Sequence, residues 1–511
     1  MLAFVGIVAE VGLYHVLVAT FGAPQESLPH AATGYRARTG WFRAIVCPSL
    51  SLLAIPAMAQ SPGRADPPLP RAAASANESG APTLLREALL AVYESNPELA
   101  AARAAQHAVI ENVPIAEAAG LPGILSSGSL NQALYNTGRA SGPLRRNAGL
   151  TLSVPIYSGG AVRNAVGAAA KRTEAGNADL RRIEAAVLAR AATAYVDVLR
   201  DEAVVDLNRN NARALETNLR GTRDRFEVGD LTRTDVAQSE ARLALARGRL
   251  ATAEARLAGS RQGYAQVVGM PPGTLVWPPE LPGLPGDVGS AQQVALVRNP
   301  ELQAARSDED AARFDIGVAK AGRLPRFSLG ANSSYGNAPA AAARSTPGLG
   351  RGGGPAFVPN SQASFPIYQG GRPAAQVRQA AAWQVAAVEN ATTVERRVIT
   401  QVRTAFANRH TALAVINASR TAVDANRLSL EGVRAEHGVG NRSVLDVLNA
   451  EQELLNAEVQ LVVARREAYV ADLALLAAMG RAGASDLGLV EPAPRIAATA
   501  DDNAPHDDAA F

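Results

Sequence analysis

The chain contains one unit twice, and that duplication limits what it can fold into. Asn96-Pro97-Glu98-Leu99 recurs as Asn299-Pro300-Glu301-Leu302, and Leu121-Pro122 as Leu324-Pro325, each at an offset of 203 residues. Val154-Pro155-Ile156-Tyr157-Ser158-Gly159-Gly160 recurs as Phe365-Pro366-Ile367-Tyr368-Gln369-Gly370-Gly371, at an offset of 211. Val228-Gly229 with Asp235-Val236 recurs as Val439-Gly440 with Asp446-Val447, again at 211. Matches in order with one change of offset require two copies of one unit, the second with eight residues added between 325 and 365. Ala338 to Pro359 is rich in Ala, Gly and Pro, so the addition reads as a surface loop.

Between each double glycine and the following Val-Gly lie some 66 residues with no proline after Pro373 and little glycine. As helices they would each run ~100 Å. Val198, Val205, Ala212, Leu219 and Phe226 fall seven apart, as do Ile416, Val423 and Leu430. Beyond the Val-Gly, Val236, Leu243, Leu250, Leu257 and Tyr264 form one seam, and Val447, Leu454, Leu461, Ala468 and Leu475 another. A sustained seven-residue repeat implies left-handed coiled-coil packing. Each Val-Gly then turns one long helix back on itself, with Gly229 and Gly440 at the tips.

The opposite end reads as strands. Ile124 to Tyr135 and Asn147 to Tyr157 form one pair, Phe327 to Asn337 and Ala356 to Tyr368 the other, and Leu150 to Ile156 alternates apolar with polar. Tyr335 and Tyr368 are available for an interfacial belt. Strands of ~9–11 residues suit a tilted bilayer crossing. Four strands cannot close a barrel, which takes about eight, so a barrel requires several protomers. A soluble four-stranded domain is the alternative.

Downstream of the leader no apolar run of ~18 residues could form a spanning helix, which leaves a β-barrel as the way across a membrane. The net charge of +3 is close to balanced, so nothing points to nucleic acid; that only Lys171 and Lys320 of the 50 basic residues are lysines reads as the codon bias of a GC-rich genome. Arg36, Arg38 and Arg43, the apolar Ala44 to Pro56, and Ala57-Met58-Ala59 read as a signal peptide. The only cysteine, Cys47, lies inside it, so cleavage after Ala59 leaves a cysteine-free mature chain. The chain divides into a leader to residue 59 (signal peptide 36–59) and a flexible linker 60–81. A first unit over 82–270 follows, with strands within 124–157 and helices over 161–227 and 232–269. After a linker 271–289, the second unit spans 290–483, with strands within 327–368 and helices over 373–437 and 442–480. An acidic, unstructured tail covers 484–511.

Phe365-Pro366-Ile367-Tyr368-Gln369-Gly370-Gly371 and the run from Val439 to Gln452 closely resemble the TolC family of outer-membrane factors, over about residues 82–483. Arg225 to Gly229 and Thr234-Asp235-Val236 resemble the matching tip of the first half. The resemblance implies a mainly α fold with a transmembrane β-barrel, in which a homotrimer forms a twelve-stranded barrel and an α-helical periplasmic tunnel. It implies an outer-membrane location reaching into the periplasm, outer-membrane lipid around the barrel, a periplasmic adaptor, and an inner-membrane ABC or RND-type transporter. It also implies a gate. The family's latch aspartate and latch arginine correspond to Asp235 and Arg442, and its latch tyrosine falls on His437, a departure that could make closure pH-sensitive. The two acidic ring positions fall on Asp446 and Asn449, so the second ring is uncharged. Val228, Gly229, Val439 and Gly440 are the implied adaptor contacts. Without the family, each of these residues reads as an ordinary solvated helix end.

No enzyme chemistry is visible. The six histidines are scattered, no His-x-x-x-His occurs, and Gly348 to Pro355 lacks the Gly-Lys-Ser/Thr of a phosphate loop, so no metal site, cofactor or catalytic residue is expected. The leading expectation is a passive exit duct for type I protein secretion, because the Val444 to Ala457 run looks most like secretion-linked members. Small-molecule efflux is the alternative. A periplasmic adaptor would need lipoyl-like β-segments, and a purely structural coiled coil would lack barrel strands.

Overall fold

A computed structural model describes residues 83–132, 135–136, 139–140, 145–336 and 356–490. The leader and signal peptide, the linker 60–81, Cys47 and most of the enlarged loop lie outside the described residues.

The first unit runs through helices α1 (Leu85–Ser95), α2 (Pro97–Ile110) and α3 (Asn112–Ala118), strands β1 (Gly123–Asn131) to β4 (Arg145–Tyr157), and helices α4 (Ala161–Glu227) and α5 (Arg233–Val268). Between β1 and β4, β2 (Tyr135–Asn136) pairs with β3 (Arg139–Ala140) in a separate two-residue ribbon. The second unit has α6 (Val288–Arg298), α7 (Pro300–Ala321), β5 (Arg326–Gly336), β6 (Ala356–Ser364), α8 (Arg372–Gly438) and α9 (Val444–Ala478).

Each of the two long helices has 67 residues, about 100 Å at 1.5 Å per residue. The returning helix covers only the tip half of each. The other half of α4 is covered by α2, α3 and α7, while α7 also packs on α8. Close approach there depends on glycine: a Cβ on Gly167 would meet the Phe314 ring at 2.7 Å, and one on Gly176 would collide with Gln106. Pro114 explains why the first unit has two short helices where the second has one. Its ring has no N–H to give the Ile110 carbonyl, whereas position 317, 203 residues on, is glycine and α7 continues through it.

The duplicated Asn-Pro-Glu-Leu is a docking device. Asn96 Oδ1 caps α2 by accepting from Glu98 N–H (2.9 Å) and Leu99 N–H (3.3 Å), while its Nδ2 donates to Val267 O at the end of α5 (3.1 Å). Asn299 repeats this with Glu301 (3.0 Å) and Leu302 (3.2 Å), and donates to Ala478 O at the end of α9 (2.9 Å). Proline follows where its missing N–H is harmless, and Leu99 and Leu302 are buried.

The seams are packed as the heptads imply. Val198, Val205, Ala212, Leu219, Leu243, Tyr264, Val423, Leu430, Val447, Ala468 and Leu475 are buried, Val236, Leu250, Leu257, Ile416, Leu454 and Leu461 are half-buried, and Phe226 at the tip is exposed. The main core surrounds Tyr195, whose hydroxyl sits between the carbonyls of Thr83 (2.8 Å) and Val276 (2.7 Å) and accepts from Val276 N–H (3.0 Å). The stretch after Pro271 is therefore pinned, with Leu275 buried, and is not a free linker. The tail also starts later than expected: Ala484 and Leu489 join the same core, and Ala484 N–H donates to Glu184 (2.7 Å).

The four main strands form one antiparallel sheet, ordered β1-β4-β5-β6. Cross-strand register separates its faces. Ile124, Leu150, Leu152, Leu329, Tyr335 and Phe357 share one, with Ser126, Ser333 and Ser361 among them; Ser127, Ser129, Thr151, Ser153, Asn332 and Asn360 share the other, with Leu125 and Val358 as apolar exceptions. Among the described residues nothing covers the apolar face: Ile124, Leu150, Leu329, Tyr335 and Phe357 are all exposed. Two strand ends differ from the sequence reading. β1 stops at Asn131, and β6 stops at Ser364, leaving Phe365, Ile367 and Tyr368 outside the ladder. Pro155 and Tyr157 stay paired because β4 is central and meets β5 through a bulge, whereas β6 is an edge strand and Pro366 has no N–H to extend it.

Candidate gate at the hairpin tips

Both hairpin tips are built alike. Gly229 (φ +84°) and Gly440 (φ +79°) take the left-handed conformation that ends each long helix. Asp230 N–H donates to Arg225 O, and Asn441 N–H to Glu436 O, both at 2.9 Å, closing the last turn as a Schellman motif. The next helix then opens with a capping box. Thr232 Oγ1 accepts from Asp235 N–H (3.3 Å), while Asp235 Oδ2 accepts from the Thr232 hydroxyl (2.7 Å) and N–H (2.9 Å). Ser443 and Asp446 repeat the arrangement at 3.2, 2.8 and 3.0 Å.

These bonds occupy the two aspartates the sequence singles out. The Thr232 hydroxyl and N–H hold the Asp235 carboxyl below the usual carboxylate range, and Ser443 does the same for Asp446. Within the described residues neither hydrogen-bonds to Arg442, whose Nε donates to Glu436 (2.7 Å), an ion pair that raises the guanidinium pKa further, with a smaller contribution from the Asp446 charge. Val228 and Val439 are 80% and 72% exposed, and a Cβ added at Gly229 or Gly440 would meet nothing within 4 Å.

His437 connects the two hairpins. Its Nδ1 lies 2.8 Å from Arg442 O and its Nε2 lies 3.3 Å from Arg225 Nη1. A carbonyl can only accept and a guanidinium can only donate, so the neutral Nδ1–H tautomer alone satisfies both. Arg225 is itself paired with Asp230 (3.4 Å).

Farther from the tip, Arg242 donates to Asn449 Oδ1 (2.7 Å), tying α5 to α9. Asn449 is thus joined to the other hairpin. Glu451, almost fully buried, accepts from Asn218 of α4 (3.1 and 3.2 Å) and from Arg434 of α8 (2.8 Å). Sequence reasoning missed Arg242, Asn218 and Glu451. The available signal was an acid between Leu448 and Leu455 on the buried face of α9. Among the described residues no group of acids, histidines or cysteines could hold a metal.

A family model described as "Outer membrane efflux protein" matches residues 89–270 and 291–481, the two units in turn. The chain belongs to the outer membrane efflux protein family. It is 33% identical over 410 residues to the outer membrane efflux protein BepC of Brucella suis, covering 79% of this chain and 87% of BepC. With the outer membrane protein TolC of Escherichia coli it shares 28% over 419 residues, covering 78% and 84%. The crystal structure of the Campylobacter jejuni CmeC outer membrane channel has the same fold, with TM-score 0.68 at 17% identity over 78% of this chain and 85% of that one. The protein is therefore an outer-membrane efflux channel that extends into the periplasm, in the manner of tripartite export systems, and not an enzyme. No described helix is long and apolar enough to cross a membrane.

Proposed function

We propose that three copies close into a twelve-stranded barrel continued by a helical tunnel, the outer-membrane exit of a machine with a periplasmic adaptor and an inner-membrane ABC or RND-type transporter. The observation that carries this reading is the sheet. Among the described residues it has one largely apolar face with nothing over it and two unpaired edges, β1 and β6. Lipid satisfies the face, and neighbouring copies satisfy the edges. The tips are the gate. Asp235, His437, Arg442, Asp446 and Asn449 hold the mouth closed between copies, and Val228, Gly229, Val439 and Gly440 meet the adaptor. The local bonds of Asp235 and Arg442 are the resting contacts that such a clasp exchanges for cross-copy ones.

The cargo we assign first is protein, by type I secretion, on the Val444 to Ala457 run; small-molecule efflux is the second reading, favoured by the name of BepC. In outer-membrane fractions the protein should migrate as a heat-modifiable trimer. In planar bilayers, Arg442→Ala or Asp235→Ala should raise single-channel conductance. Conductance unchanged in both variants would refute the latch. A monomer that adds no conductance would refute the duct.

A further inference from the structure

The strand region carries charge of one sign. No aspartate or glutamate occurs within 118–173 or 316–388, the two stretches that hold all six strands, yet they contain thirteen arginines and lysines. Where acids resume they pair at once, Glu174 with Lys171 (2.8 Å) and Asp315 with Arg172 (2.5 Å). The exclusion of acids therefore belongs to the strands and to the layer where strands meet helices.

Five of the cations stand in that layer. Arg163 lies in the first turn of α4, Lys320 and Arg323 at the end of α7 and in its turn toward β5, and Arg372 and Arg378 in the first two turns of α8. Packing brings these elements to one level. A Cβ on Gly159 would meet Leu324 at 2.8 Å, one on Gly317 would collide with Asn164, and Arg326 pairs in register with Ser364 at the end of β6 that leads to α8. All five are exposed, and none has a hydrogen-bond or ion-pair partner among the described residues. Arg326 itself falls on the polar face of β5 with Ser328 and is set apart from them.

The repeated fold does not require these charges. At the offsets of the two units, Lys320, Arg323, Arg372 and Arg378 correspond to Glu117, Gly120, Ala161 and Gly167, and Arg163 to Ala374. Like charges gathered without a counter-charge repel one another, so this cluster calls for an anion from outside the chain. Beside it the surface is apolar and aromatic. Phe365, Ile367 and Tyr368 lie outside the ladder, Ile367 97% and Tyr368 88% exposed, and Tyr157 and Phe327 are exposed at the neighbouring strand ends. Aromatic side chains at strand ends with cations just beyond them match a bilayer boundary. The headgroup layer there is about 5–8 Å deep. Arg372 and Arg378 are about 9 Å apart along α8, within the reach of long side chains that extend into that layer.

We propose that Arg163, Lys320, Arg323, Arg372 and Arg378 form a site for the phosphates of anionic phospholipid headgroups in the periplasm-facing leaflet. The inference rests on the barrel reading above, which sets this end of the strands at the periplasm. The chemistry selects the charge class of the lipid. A zwitterionic headgroup brings an ammonium that finds no carboxylate within 118–173 or 316–388, whereas an anionic phosphodiester is matched by several directed guanidinium donors. Lipid of the opposite leaflet meets the far strand ends, where β4 begins with Arg145 and Arg146.

The test uses the full-length channel reconstituted in bilayers, with spin-labelled phosphatidylglycerol or spin-labelled phosphatidylcholine as the probe. The motionally restricted fraction should give an association constant at least ~3-fold higher for phosphatidylglycerol, with the ratio falling toward one as salt rises. Lys320→Gln/Arg323→Gln/Arg372→Gln/Arg378→Gln should bring the ratio to one with the heat-modifiable trimer retained, and glutamate at the same four positions should take it below one. Arg145→Gln/Arg146→Gln should leave it unchanged. Inorganic phosphate should weaken the preference no more than chloride does at equal ionic strength. Equal association of the two lipids with the wild type, or a preference that survives the four-glutamine variant, overturns the proposal. So does a preference lost in Arg145→Gln/Arg146→Gln, which moves the site to the other leaflet, or selective competition by inorganic phosphate, which makes it a site for free anions. If the fourfold variant does not assemble, Lys320→Gln/Arg323→Gln and Arg372→Gln/Arg378→Gln, made separately, should each lower the ratio, and a wild-type ratio in both overturns the proposal. Absence of any motionally restricted lipid around the wild-type channel would instead refute the barrel reading on which the proposal rests.

Discussion

Asn96 and Asn299 occupy the same position in the two units, which makes them an internally controlled pair. Each side chain performs two tasks: its oxygen caps a short helix, and its amide nitrogen holds that helix to the end of a returning one. Loss of an asparagine cap costs ~1 kcal/mol. Loss of the second bond costs ~0.5–1.5 kcal/mol, rising to ~1–3 kcal/mol where the abandoned carbonyl is kept from water. Asn299 is only 5% exposed, whereas Asn96 is half-buried. Asn299→Ala should therefore cost ~2–4 kcal/mol and Asn96→Ala ~1–2 kcal/mol. Asn299→Asp separates the two tasks, because aspartate keeps the capping oxygen and lacks the donor. Its cost should fall between those of the wild type and Asn299→Ala. Thermal loss of helical circular dichroism in detergent gives the order. A midpoint for Asn299→Ala at or above that of Asn96→Ala would refute the burial argument, and a wild-type midpoint for Asn299→Asp would refute the docking bond.

Leu150 and Thr151 are adjacent residues on opposite faces of β4. Leu150→Arg should reduce the yield in outer-membrane fractions, at ~2–4 kcal/mol per copy if it lies at mid-bilayer, while Thr151→Arg should leave the yield intact and change conductance. The capping carboxyls respond at low pH. Their pKa values are depressed in the fold, so the stabilisation they give is complete above the ordinary carboxylate value of ~4 and is lost as pH falls through the depressed one. Amide exchange at residues 229–236 and 440–447 should accelerate in that lower window, and Asp446→Asn should show the faster exchange in the second tip at neutral pH. Gly480→Ala should destabilise the end of α9 by ~1–3 kcal/mol, because φ is +72° there and a Cβ would strike the Arg298 carbonyl; thermal unfolding checks it.

The regular parts of this fold were legible because their signals are local or periodic. A proline-free heptad run bounded by double glycine and Val-Gly defines α4 and α8 almost to the residue, and alternation in Leu150 to Ile156 predicts the two-faced sheet. Strand ends were less legible. Phe365 to Tyr368 repeats Val154 to Tyr157 in sequence, yet only the copy on a central strand has a partner to pair with. At the tips, Thr232-x-x-Asp235 and Ser443-x-x-Asp446 carry a readable capping signal, so those carboxylates have a structural role whatever the gate requires. The contacts of His437 with Arg225 and of Glu451 with Asn218 join residues more than 200 positions apart, and no local pattern encodes them.

Duplication creates a problem that the charges at its helix seams address. Two hairpins of equal length and like heptads leave each long helix two returning helices of similar pattern to pair with. Glu216 pairs with Arg247 in the first hairpin (3.0 Å). At the positions 211 residues on, Arg427 pairs with Glu458 (3.4 Å), so the bridge is kept and its sign is reversed. Arg225 and Glu436, and Arg242 and Glu453, also differ in sign at matched positions, without a matching bridge. By contrast, Arg223–Glu240 and Arg434–Glu451 keep their sign, and the second becomes buried because Asn218 of the first hairpin closes over it. Each surface bridge contributes little to stability. Reversal at matched heights sets Glu216 against Glu458, and Arg427 against Arg247, if the helices exchange partners. The reversed charges thus favour α4 with α5 and α8 with α9 on an otherwise repeated frame.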